Sequence, residues 1–187
     1  MNWKKRALRT KVENRIREAF KGVTLGDGIS LHQTVIVNNY GRDDDDNEVS
    51  DLEWERRRSA GVIDNWEKID FSREPEDDDF AIAHLDDEAL RYYLPALMIS
   101  VIEIYDPGSM RVIGTLDSLY PRKAGEMARY WDSTISTYST FTDEQKAAIA
   151  LFLEALPEVV QLNTEDSRVV ERALRNYWDQ FVPEEDD

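Results

Sequence analysis

Tyr92-Tyr93-Leu94-Pro95-Ala96-Leu97-Met98-Ile99-Ser100-Val101-Ile102 is the stretch on which the fold turns. It is apolar on nearly every side, so as a helix it belongs in the middle of a protein rather than on its surface. Pro95 has no N–H to give and crowds the preceding turn, but it suits the first position of a helix. The spacing therefore predicts a short helix over 86–93, capped by Asp86, and a second, central and buried helix over about 95–105. Pro107-Gly108 ends it. The longest apolar run, Leu94 to Ile102, stops at Glu103, well short of the ~20 residues that a membrane span needs.

Outward from this centre the helical period recurs. Leu8, Val12, Ile16, Ala19 and Phe20 form a stripe on a first helix over about 3–21. A basic amphipathic helix can lie on a membrane, but packing against a core is the commoner use of such a stripe. Gly22, Gly26 and Gly28 then break the pattern; with no strand before them and no Lys-Ser/Thr after them, they read as a loop between helices and not as a phosphate cradle. Residues 29–40 fit a short helix or a strand, with the spacing of Ile29, Ile36 and Tyr40 favouring helix. Ser50-Asp51-Leu52-Glu53 reads as a capping box before a helix over about 51–60. Ile63, Trp66 and Ile69 give a short apolar face, and Phe80 to Leu85 a short extended segment. Residues 109–139 read as irregular, apart from a short element near Met110–Ile113, and the Ser/Thr-rich run 133–140 as a loop. Thr142-Asp143-Glu144-Gln145 is a second capping box, before a helix that Pro157 stops. Thr164 or Asp166 caps a last helix, with Val169, Val170, Ala173, Leu174, Tyr177, Trp178 and Phe181 on one face, stopped by Pro183. The expected architecture is mostly α: a compact multi-helix single domain over 1–183 with a buried central helix, at most short strands, and an acidic disordered tail at 184–187.

Composition agrees with a packed domain. The 187 residues are 41% hydrophobic, and five Trp, eight Tyr and six Phe supply bulky core material. The absence of cysteine removes disulfides, thiolate metal sites and a cysteine nucleophile, and with no signal-peptide pattern points to the cytoplasm. The net charge of −16 disfavours direct nucleic-acid binding, which needs cations to neutralise phosphates. The charge is also uneven. Residues 43–90 carry nineteen acidic side chains against five basic, whereas residues 1–23 carry eight basic against two acidic. Either the two regions attract each other within the fold, the reading that the apolar stripe favours for the N-terminus, or the acidic region faces a cationic partner.

Few residues carry a signature of chemistry. His32 and His84 are the only histidines and lie in no metal-ligand spacing. Asp43–Asp46 and Asp77–Asp79 lack the calcium-loop pattern. No nucleophile elbow, P-loop or dinucleotide fingerprint occurs. No catalytic residue, cofactor or metal is expected, and the balance leans away from an enzyme.

Leu85 to Ala96, with its Arg91-Tyr92-Tyr93-Leu94-Pro95-Ala96 core, Tyr138-Ser139-Thr140-Phe141, and the Thr142-capped helix resemble a family of small acidic bacterial proteins known only as a domain of unknown function. Gly28-Ile29-Ser30-Leu31-His32 and Asn38-Asn39-Tyr40-Gly41 are similar to it as well; relatives often carry Asp-Asp-Tyr where this chain has Asn38-Asn39-Tyr40. The resemblance spans most of residues 12–156 and implies no activity. The function the residues favour is a non-catalytic acidic protein-binding protein, immunity- or inhibitor-like, engaging a basic protein. Its surface would comprise Asp43, Asp44, Asp45, Asp46, Glu76, Asp77, Asp78 and Asp79, with Trp54 and Trp66 as aromatic anchors. A nucleic-acid mimic occupying a DNA-binding site, and an enzyme with a dispersed site and no local motif, are the alternatives.

Overall fold

The computed structural model describes residues 3–42, 46–61, 64–71, 82–123 and 130–183. Among them run eight α-helices: α1 (Trp3–Ala19), α2 (Leu31–Asn38), α3 (Asp51–Ala60), α4 (Asp87–Glu103), α5 (Met110–Ser118), α6 (Trp131–Ser139), α7 (Asp143–Val159) and α8 (Thr164–Asn176). Short 3-10 turns at Trp66–Lys68, Ile82–His84 and Trp178–Phe181 join or extend them. The only pairing of extended backbone among the described residues is an isolated antiparallel bridge between Arg42 and Glu48. The mostly α expectation holds.

α4 is the centre, with thirteen of its seventeen residues buried. It differs from the sequence expectation in one respect: it is a single helix that carries Pro95 inside it, not two helices meeting there. An interior proline costs about 3 kcal/mol. Burial of Tyr92, Tyr93, Leu94, Leu97 and Met98, at roughly 1.5–3 kcal/mol for a large apolar side chain, outweighs that local penalty. Asp86 caps the helix as expected, its Oδ1 accepting from Ala89 N at 2.8 Å. Around α4, α1 lies along α7 and contributes Val12 and Ile16 to the core, and Phe20, just past its end, joins them. The N-terminal stripe is thus a packing face, and Arg17 and Arg9 turn outward to Glu67 and Glu103.

Two helices occupy the span that reads as irregular: α5 extends the short element expected near Met110–Ile113 as far as Ser118, and α6 was not expected. In α6 the Ser/Thr hydroxyls do not break the helix but bond back onto it: Ser133 and Thr134 donate to Tyr130 O, and Thr137 donates to Ser133 O. Tyr138 then drives the helix onto the core, its ring against Trp178 and its hydroxyl donating to Ser118 O at 2.7 Å.

Several ends shift as well. α7 starts with the expected capping box of Thr142 and Gln145 but runs through Pro157 to Val159; the proline forfeits one intrahelical hydrogen bond, which burial of Leu156 and Val159 offsets. α8 is capped by Asn163, not by Thr164 or Asp166. Asp166 instead accepts the Tyr105 hydroxyl at 2.6 Å, which ties the loop after α4 to the start of α8. Of the segment expected to be extended, Ile82–His84 is a 3-10 turn, and residues 80 and 81 lie outside the described residues.

Candidate protein-binding surface

α2 and α3 form a small hairpin on the flank of the core. Ser30 and Gln33 make a full capping box that starts α2. Ser50 starts α3 by accepting from Glu53 N, but the reciprocal half of that box is absent. The Glu53 carboxylate turns to Arg56 and Arg57 instead, at 2.6 and 3.1 Å. These hydrogen bonds, first to Arg56 and then to Arg57, lower the Glu53 carboxyl to about 2. No residue of α3 is fully buried, so α3 rests on the body through a few polar ties. Gln33 Nε2 donates to Trp54 O at 3.3 Å. The Arg58 guanidinium donates to the carbonyl oxygens of both Gly26 and Gly28.

The tip of the hairpin carries an unusual residue. Tyr40 follows α2 with φ at 56° and is 95% exposed. A bulky side chain in the left-handed region is strained, and here no packing compensates for it. Beyond it, Gly41 N returns to Ile36 O, Val49 N pairs with Gly41 O, and Arg42 clasps Asp46 through its carbonyl and carboxylate. Leu52, on the first turn of α3, is 81% exposed. Asp46, Glu48, Asp51 and Glu55 are exposed on the same hairpin. The hairpin therefore carries two exposed apolar side chains together with exposed carboxylates.

Of the residues that the sequence points to, Asp46 and Trp54 lie on this hairpin, Trp54 half-buried. Trp66 does not. It is 2% exposed and its Nε1 donates to Phe20 O at 2.8 Å, so its ring belongs to the core and has no face for a partner. Asp43, Asp44, Asp45, Glu76, Asp77, Asp78 and Asp79 lie outside the described residues. Sequence reasoning passed over Tyr40 and Leu52. The signal for Tyr40 was a tyrosine in the Asn-Asn-Tyr-Gly turn, where the chain leaves a helix and a left-handed residue is common. Leu52 sits in the capping sequence that hides an exposed apolar residue among polar ones.

A cleft of about 440 Å³ opens on another part of the surface. It is lined by the Gly22–Gly26 loop, by Asp87, Glu88 and Arg91 of α4, and by Thr140. The loop must approach α4 closely: a Cβ on Gly28 would lie 2.8 Å from Ala89 N, and one on Gly26, whose φ is +58°, would lie 3.1 Å from Glu88 Oε2. His84 Nε2 lies 3.2 Å from Asn38 Oδ1 at the surface, and His32 packs beside Gly61. Among the described residues no cluster of His, Asp and Glu is arranged to hold a metal ion, and no helix is long and apolar enough to cross a membrane.

No curated protein and no solved structure matches the chain. The model of the Family of unknown function (DUF6714) matches residues 8–182, and the chain belongs to that family.

Proposed function

We propose that this protein is a non-catalytic acidic binding protein, of the inhibitor or immunity type, that engages a basic protein through the α2–α3 hairpin. The observation that carries the reading is Tyr40: a strained, almost fully exposed aromatic ring on a hairpin that also carries exposed Leu52, Asp46, Glu48, Asp51 and Glu55. Aromatic anchors carry most of the energy of an interface, and surrounding charges select the partner and speed the encounter.

Charge supports the same reading. Many of the described cations are engaged within the fold, as in Arg9 with Glu13, Arg17 with Glu67, Arg42 with Asp46, Arg56 and Arg57 with Glu53, and Arg122 with Asp117. The net −16 is left as a field that attracts cationic surfaces.

The test is capture from a lysate of the source organism at low salt, elution with rising salt, and titration of the purified pair. A single basic protein, retained by the native chain and lost with the Tyr40→Ala/Leu52→Ala double variant, is the expected result. Retention that the double variant leaves unchanged, or no salt-dependent retention, overturns the reading.

A further inference from the structure

The cleft between the glycine loop and α4 is lined by three charged side chains, Asp87, Glu88 and Arg91. Arg91 lies one helical turn beyond Asp87 and Glu88, at i+4 and i+3, so all three project from the same face of α4. Yet none of the three takes part in an ion pair with a described residue. Each is instead held by a neutral group. Arg91 Nε donates to Gln145 Oε1 at 3.2 Å, and that oxygen is itself fixed by accepting Thr142 N. Asp87 Oδ1 accepts the Thr137 hydroxyl at 2.7 Å, and Glu88 Oε2 accepts Asp27 N at 3.1 Å. Gln145 is buried, so the guanidinium is aimed by the core rather than by solvent.

Charges of both signs that neutral groups hold in place along one wall of a cleft form a pre-organised site. The cavity volume, about 440 Å³, lies within the range of small-molecule pockets. One guanidinium beside two carboxylates is the charge complement of one carboxylate beside two cations. We propose that the cleft binds a free cationic α-amino acid, L-lysine or L-arginine. The α-carboxylate pairs with Arg91, and the α-ammonium and the side-chain cation pair with Asp87 and Glu88. An isolated anion would face two carboxylates, and an isolated cation would face Arg91. Only a ligand that carries both signs satisfies all three groups. The site is distinct from Tyr40 and Leu52 on the α2–α3 hairpin, and its occupancy does not depend on the protein-binding reading.

The experiment is isothermal titration of the full chain at low salt with L-lysine and L-arginine, followed by three analogues of L-lysine. Nα-acetyl-L-lysine removes the α-ammonium, L-lysinamide removes the carboxylate, and L-norleucine removes the side-chain charge. Saturable binding of L-lysine or L-arginine is expected, with each analogue weaker by about tenfold or more. The amide is decisive. It carries more positive charge than lysine, so simple attraction to an acidic protein would make it bind more tightly, whereas contact of the carboxylate with Arg91 makes it bind more weakly. Arg91→Gln should bring lysine down to the affinity of the amide. If that variant fails to fold, the analogue series on the native chain decides alone. No saturable heat from lysine or arginine at millimolar concentration, or an amide that binds as well as the acid, overturns the proposal.

Discussion

The indole of Trp66 donates its N–H to the backbone carbonyl of Phe20 at 2.8 Å, across the junction between the end of α1 and the segment that precedes α4. That carbonyl also receives Val23 N, so the tryptophan supplies a second bond at the point where the chain leaves α1. Trp66→Phe removes this bond and leaves a void where the larger ring was. A loss of about 2–3 kcal/mol in unfolding free energy is expected from urea denaturation. Partner capture by the folded variant should match that of the native chain, which separates Trp66 from the surface residues.

Gly28 is where the loop after α1 meets the start of α4. A methyl group there would stand 2.8 Å from Ala89 N and 2.9 Å from Leu25 O, both backbone atoms that cannot swing aside. Gly28→Ala should therefore destabilise the protein by several kcal/mol in thermal or urea unfolding. At Gly22, a Cβ would meet nothing within 4 Å, and only the φ of +75° opposes a side chain. Gly22→Ala should cost only about 1–2 kcal/mol, a difference that isolates close packing from backbone strain.

These glycines illustrate what the sequence could disclose. Gly22, Gly26 and Gly28 were legible as a break between helices, but not as a loop pressed against α4 and clasped by Arg58, because those contacts join residues far apart in the chain. The same distinction runs through the fold. The central position of the 92–102 stretch was legible, since no surface helix is apolar all round; its continuity through Pro95 was not, since burial rather than propensity decides it. α6 was hidden because Ser and Thr favour loops unless their hydroxyls find a carbonyl one turn back, and Tyr138 anchors it only in three dimensions. At the surface, acidic runs were legible as charge, but exposure was not: Trp66 and Trp54 look alike in sequence, and one is in the core.

Glu53 gives the fold a pH signature. Hydrogen bonds from Arg56 and Arg57 hold its carboxyl near 2 in place of 4.5. A depressed value in the folded state means that the carboxylate supports α3 above the unfolded value and that this support disappears as pH falls from 4.5 toward 2. A carboxyl NMR titration should give a Glu53 midpoint near 2. Glu53→Gln should remove the part of the acid-side loss of α3 that falls in this window, seen as a flatter pH dependence of amide protection in residues 51–60.

Tyr138 acts at the opposite end of the scale. Burial, with Tyr177 and Asp117 nearby, pushes its hydroxyl well above 10, and burial likewise raises Tyr92. Raised values mean that the protonated rings stabilise the fold fully below about 10 and that this contribution is lost as pH rises past it. Phenolate absorbance should therefore report fewer than the eight tyrosines in the folded protein at moderately alkaline pH. The missing amplitude should appear together with unfolding. Tyr138→Phe keeps the ring but leaves Ser118 O without its donor, and should cost about 1–3 kcal/mol while removing one group from the late phase.

Tyr40 separates stability from binding most directly. Its φ of 56° lies where a residue with a side chain carries a penalty of roughly 1–2 kcal/mol, and its ring, 95% exposed, gains almost nothing from packing. Glycine adopts that conformation freely and loses about 0.5–1 kcal/mol more backbone entropy on folding. The two effects leave Tyr40→Gly level with the native chain or more stable by up to about 1.5 kcal/mol, as read from the urea midpoint at unchanged slope. A ring that served the fold would give the opposite sign. If the same variant also weakens association with the captured partner, the aromatic side chain is kept at the tip of the hairpin for what it touches outside the molecule, and the strain in the turn is the cost of presenting it.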